Sequence, residues 1–145
     1  MPAMGERVAN IMLKPQSDLE DVLYLFYPQT DAARAKGVEH FSKIAADMPA
    51  DAPVVTQEAA MGQLEAITAT LTAPWEQVAA NLKKIKQPVL YANGAHDVMI
   101  DAFASYAAIQ ELPNAKLVLY SDAGHAFLFQ HTDEFTAEVK VFLRD

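Results

Sequence analysis

The chain has 145 residues, a formal net charge of −8, no cysteine, and 52% hydrophobic against 21% charged residues, which fits one globular core. The acidic balance disfavours nucleic acid and anionic membrane surfaces, which select for Lys and Arg, and the lack of Cys excludes disulfides, thiolate zinc sites and thiol catalysis. With neither a signal-peptide run nor the roughly 20 consecutive apolar residues that span a bilayer, the expectation is a soluble cytoplasmic protein with no nucleic-acid or membrane partner.

Up to residue 82 the pattern signals helices only. Ser17 is placed to cap a short helix over 18–27, in which Leu19, Val22, Leu23, Leu25, Phe26 and Tyr27 are apolar and which Pro28 ends. Thr30 caps an amphipathic helix carrying Ala33, Val38, Phe41, Ile44 and Ala45 at helical spacing. A Pro-rich, Asp-punctuated loop over 47–53 follows, and Thr56 opens a third helix with Ala60, Met61, Leu64 and Ile67 on one face. Pro74, in the first turn of a fourth, leads through Trp75, Val78 and Leu82 to Ile85. Lys83, Lys84 and Lys86 at its end read as complements to the helix dipole rather than as an anion site.

Beyond Gln87 the texture changes. Residues 88–92 form a short apolar run that starts with Pro and stops at Asn93 and Gly94, a buried strand. A helix over 103–112 is stopped by Pro113, and 116–120 is a second apolar strand. Thr132 caps a last helix with Asp133 and Glu134 in its first turn and Phe135, Val139, Phe142 and Leu143 facing the core. A helix between two apolar strands implies a crossover connection and a parallel sheet, hence an α/β fold ending in β-α-β-α.

Open α/β sheets place ligands at the C-terminal ends of their strands. Asp97 follows Ala92 at the same distance as His125 follows Tyr120, and neighbouring strands lie about 4.8 Å apart, so the topology brings a carboxylate to an imidazole. Such a carboxylate fixes the His tautomer and leaves the other ring nitrogen as a general base, two thirds of a nucleophile-activating triad. Singly, Asp97 also reads as a turn residue and His125 as a packed histidine; their matched positions single them out. His40 occupies a polar helix position, His96 neighbours the acid, and His131 precedes Thr132. No histidine pair has metal-site spacing, so neither metal nor cofactor is expected. Tyr24, Phe26, Tyr27 and Trp75 suit either the core or an acyl or aromatic substrate pocket.

The run from Ile85 to Asp97 (IKQPVLYANGAHD), then Leu112 to Tyr120 (LPNAKLVLY), then Asp122 to Gln130 (DAGHAFLFQ), with a closing Phe142-Leu143, resembles the C-terminal third of the α/β-hydrolase family. Within that family the resemblance is to the bacterial, haloperoxidase-like branch. It implies Asp97 as triad acid and His125 as base, residues 83–145 as the C-terminal part of the hydrolase core, and 1–82 as a helical cap-like region in which Phe26, Tyr27 and Trp75 bind substrate. Asp101 stands where the family often has Pro, a departure touching the local turn.

The family's nucleophile elbow, Gly-x-Ser-x-Gly, occurs nowhere in the 145 residues. Ser17, Ser42, Ser105 and Ser121 lack that context, and Ser121 falls in the histidine loop. Large α/β enzyme folds commonly take upwards of about 200 residues, and two parallel strands leave free hydrophobic edges carrying Val89, Tyr91, Leu117 and Leu119. The expectation is therefore a partial α/β-hydrolase fold, cap plus C-terminal piece, of a serine hydrolase acting on a small ester-like substrate. Such a chain is inactive alone and pairs with the missing N-terminal part or with a second copy of itself. The alternatives are a non-catalytic dimerisation or interaction module, and a parent of the same fold with perhydrolase, C–C hydrolase or dehalogenase chemistry.

Overall fold

The structure, a computed structural model, describes residues 5–14, 16–53 and 55–144. Its first helix, α1 (Glu6–Met12), precedes those expected. It starts at Gly5 with no side-chain cap, and only Val8 and Ile11 are buried, so seven residues carry too little pattern to announce it. Helix α2 (Leu19–Phe26) is capped by Asp18 rather than Ser17: Asp18 Oδ1 accepts the Asp21 N–H at 2.9 Å, and Asp21 Oδ2 accepts the Asp18 N–H at 3.1 Å. This is a reciprocal capping box built with Asp in place of Glu. Lys14 Nζ donates to both Asp21 oxygens at 2.6 Å, and that hydrogen bond, opposed in part by burial, holds the Asp21 carboxyl below its ordinary value.

Helices α3 (Asp31–Asp47) and α4 (Gln57–Thr72) begin where expected, with Thr30 and Thr56 accepting the Ala33 and Ala59 N–H groups. Helix α5 (Trp75–Leu82) has Pro74 at its N-cap rather than in its first turn and stops before Ile85. Of the lysines beyond it, Lys83 pairs with Glu111 at 3.0 Å and Lys86 Nζ donates to the Lys83 carbonyl at 2.8 Å.

Strand β1 (Val89–Gly94) outruns the expected strand, because Asn93 and Gly94 are its buried end and not a turn. Helix α6 (Ala102–Glu111), capped by Asp101 Oδ1 at 2.7 Å from the Phe103 N–H, connects it to β2 (Ala115–Tyr120). The two strands pair in parallel, from Val89 opposite Ala115 to Gly94 opposite Tyr120. A short helix, α7 (Phe127–Gln130), intervenes before α8 (Thr132–Phe142). Thr132 does not cap α8: its hydroxyl donates back to the Leu128 carbonyl at 3.0 Å, and His131 at the N-cap makes no side-chain cap bond. Phe135, Val139 and Phe142 are half-buried, while Leu143, expected in the core, is 75% exposed.

Two small clusters of the core reach the two loops of interest. Val8, Ile11 and Leu25 pack with Tyr24, Phe26 and Met99, so α1 and α2 grip the loop after β1. Leu23, Tyr27 and Ala126 pack with Phe26 and Phe41, so α2 and α3 grip the loop after β2.

Candidate active site

Both strands end on one edge, and their following loops are laced together there. The Ala95 N–H donates to the Tyr120 carbonyl and the His96 N–H to the Ala123 carbonyl, each at 2.9 Å. Gly94 makes this approach possible: a Cβ on it would lie 2.2 Å from the Gly124 oxygen and 2.4 Å from the Ala123 oxygen, where no side chain fits.

The loop after β1 is folded around Asn93. Its Nδ2 donates to the Ile100 carbonyl at 2.9 Å and lies 3.3 Å from Ser105 Oγ, while its Oδ1 accepts the Gly94 N–H at 2.8 Å. One buried carboxamide thus ties the two ends of the loop together. Within it, Asp97 Oδ1 accepts the Met99 and Ile100 N–H groups, both at 2.8 Å. The other oxygen, Oδ2, accepts from His125 Nδ1 at 2.8 Å. The Asp97 side chain is 2% exposed and that of His125 29%, so the acid is sealed behind an imidazole that solvent can reach.

The structure therefore joins the two residues singled out in the sequence. Three hydrogen bonds hold the Asp97 carboxylate, the Asp97 bond fixes a proton on Nδ1, and Nε2 is left for proton transfer. The Phe26 ring packs edge-to-face with the imidazole, with centroids 5.3 Å apart, and the Phe26 carbonyl accepts the Ala126 N–H at 2.9 Å.

The sequence model of the alpha/beta hydrolase fold matches residues 10–132. The chain belongs to that family. An α/β hydrolase fold protein from Chitinophaga pinensis superposes with a TM-score of 0.78 at 27% identity, covering 95% of this chain and 48% of the other. A 2-hydroxy-6-oxo-6-phenylhexa-2,4-dienoate hydrolase from Rhodococcus sp. strain RHA1 superposes at 0.66 and 18% identity, over all of this chain and 51% of that one. The second match shows the fold alone. Among curated proteins, a pimeloyl-[acyl-carrier protein] methyl ester esterase of Nitrosomonas europaea is 38% identical over 58 residues, 40% of this chain and 23% of the esterase. The chain spans about half the length of these solved hydrolases and under a quarter of the esterase. Its fold is accordingly a partial α/β-hydrolase fold, mostly helical, with two parallel strands among the described residues.

Of the expected aromatics, Tyr27 and Trp75 border two different cavities of this hydrolase fold, both reaching Asp97, and Phe26 borders neither, packing instead on the His125 ring. Tyr27 borders one of about 620 Å³ with Tyr24, His96, Asp97 and Ser121, but its own side chain belongs to the core. It is 3% exposed, its hydroxyl lies 2.7 Å from His40 Nδ1, and burial pushes its pKa up to about 12. Trp75 borders another of about 520 Å³ with Tyr91, Met99 and Ser105. His96 shapes the acid loop through its backbone. Asn93 and Gln130 organise the two loops; the sequence marked Asn93 only as the end of a strand and Gln130 only as part of a family-like run, because their partners are backbone groups that only the folded loops bring near. Among the described residues no three His, Asp or Glu side chains converge as a metal site, and no helix is long and apolar enough to cross a membrane.

Proposed function

We propose that this chain supplies the acid and base of Ser-His-Asp acyl transfer on a small ester-like substrate, in the manner of the haloperoxidase-like branch. The nucleophile comes from polypeptide outside the 145 residues. The observation that carries the reading is the 2.8 Å bond from His125 Nδ1 to a buried, triply bonded Asp97 carboxylate, and the partial match to an esterase supports the substrate class. In this scheme His125 Nε2 takes the proton of an incoming serine hydroxyl as its oxygen attacks the ester carbonyl. It then returns that proton to the departing alkoxide, and repeats the cycle with water to release the acid. Asp97 stabilises the imidazolium formed in each half-reaction. Trp75 lines the cavity proposed to take the acyl group, Phe26 supports the imidazole it packs against, and Tyr27 supports Phe26 from the core.

Association is part of the proposal. The chain exposes 9981 Å², whereas a monomeric protein of 15.9 kDa exposes about 7,400 Å² by size scaling, and Leu119 and Val141 are among its exposed apolar side chains. The excess matches what a permanent interface buries, with the N-terminal sheet or with a second copy. It equally favours the second reading, an interaction module without catalysis.

The two separate on p-nitrophenyl ester hydrolysis by the polypeptide extended through its upstream coding sequence. Asp97→Asn preserves an oxygen for the Met99 and Ile100 N–H groups but cannot accept from His125. It is expected to lower kcat by about 10⁴-fold; hydrolysis indifferent to this change, or none at all, supports the module.

A further inference from the structure

The N–H groups of the residues on either side of His125 are each held by a hydrogen bond, and the two acceptors come from different places. The Ala126 N–H goes to the Phe26 carbonyl of α2. The Gly124 N–H goes to the Gln130 side chain, whose Oε1 accepts it at 3.0 Å. Gln130 Nε2 in turn donates to the Asp122 carbonyl at 3.4 Å, so one carboxamide closes the loop across Ala123, which is wholly buried. The neighbouring His131 completes the closure. Its Nε2 meets Asp122 Oδ1 at 2.8 Å, its Nδ1 lies 3.2 Å from Glu134 Oε2, and its ring stacks on Tyr120 with centroids 4.7 Å apart. None of these groups touches Asp97.

We infer that Gln130 is a positioning residue for His125: by holding the Ala123–Gly124 peptide it fixes the glycine from which His125 departs, and so the direction of the imidazole and the Asp97–His125 bond. This deepens the proposed function and rests on it for its catalytic meaning, but its geometry stands apart from any turnover. A hydrogen bond tolerates little displacement before it weakens. Without the Gln130 acceptor, the Ala123–Gly124 peptide loses its N–H partner and is held only at its oxygen, which accepts the His96 N–H, beside a glycine, the residue least able to resist rotation.

The test is NMR on the 145-residue chain, following the His125 Nδ1 proton. In the unmodified chain this proton is expected downfield and slow to exchange. Gln130→Ala is expected to broaden it away or to raise its solvent exchange roughly tenfold or more, whereas Gln130→Glu, which retains an acceptor for Gly124, keeps it. Val139→Ala, a destabilising change on α8 remote from the loop, is expected to leave it in place, which separates positioning from general loosening. An unchanged resonance in folded Gln130→Ala, failure of Glu to preserve it, or an equal loss in Val139→Ala would overturn the inference. Should Gln130→Ala not fold, the Gly124 amide of the unmodified chain decides: protection from exchange of roughly tenfold or more supports the bond, and an unprotected amide overturns it. Ester hydrolysis enters none of these readouts, so failure of the catalytic reading leaves them intact, and their failure leaves it standing.

Discussion

Replacing Gly94 by Ala tests how the two loops are brought together. The added methyl would stand 2.2 Å from the Gly124 oxygen, 2.4 Å from the Ala123 oxygen and 2.5 Å from the Ala123 carbonyl carbon. All three are backbone atoms of the His125 loop and cannot be moved by a rotamer change. Restoring ordinary van der Waals separation requires the loop to retreat by about 1 Å. That displacement stretches the His96-to-Ala123 backbone bond and takes the His125–Asp97 bond, now 2.8 Å, past hydrogen-bonding range. Overpacking of this kind costs about 1–3 kcal/mol and each of the two weakened bonds about 1 kcal/mol, so a loss of about 3–5 kcal/mol is expected in urea denaturation, together with disappearance of the downfield His125 proton. A loss below about 0.5 kcal/mol, the range of an innocuous substitution, with the proton signal retained, would refute the close-approach reasoning.

Other expectations follow from the packing. Asp18→Ala removes half of the α2 capping box and is expected to cost about 1 kcal/mol in chemical denaturation. The Asp21 carboxyl, held low chiefly by its Lys14 hydrogen bond, contributes stability that is present above its ordinary pKa of 3.8 and lost as pH falls through its lowered value. An acid unfolding profile in Asp21→Asn should accordingly be flatter on that limb. Burial raises Tyr27 to about 12, so its phenolate should appear near there in an ultraviolet titration. The linked stability is present below pH 10 and declines as pH rises toward 12, a decline that Tyr27→Phe abolishes. Among the described residues the buried Tyr120 hydroxyl has no hydrogen-bond partner, so Tyr120→Phe is expected to be neutral or to stabilise by about 1 kcal/mol.

The strands, their parallel pairing and the meeting of Asp97 with His125 were legible because apolar runs and loop offsets are local patterns. The extent of β1 was not. Asn93-Gly94 has the composition of a turn, and only the tertiary approach of Gly124 explains a glycine at a strand end. The caps of α2 and α8 failed for a related reason: Ser17, Asp18, His131 and Thr132 are adjacent polar residues, and composition cannot say which hydroxyl or carboxylate faces the free amides. Helix α1 was too short to show a period. Leu143 reads as core because helical spacing reports an apolar face and not what covers it; here it is exposed, like Leu119 and Val141. The aromatics expected at a substrate pocket were separable only in three dimensions, where the Tyr27 hydroxyl turns inward to His40 and Trp75 borders a cavity.

The central claim is that Asp97 and His125 form the acid–base half of a serine hydrolase whose nucleophile lies outside these 145 residues. Treatment with a serine-directed fluorophosphonate, read by intact mass, tests it most directly. The 145-residue chain is expected to stay unmodified. The polypeptide extended upstream is expected to take one label on a Gly-x-Ser-x-Gly serine, at a rate that His125→Ala lowers by several orders of magnitude. A label on the 145-residue chain itself, or labelling of the longer form that ignores His125→Ala, would contradict the account.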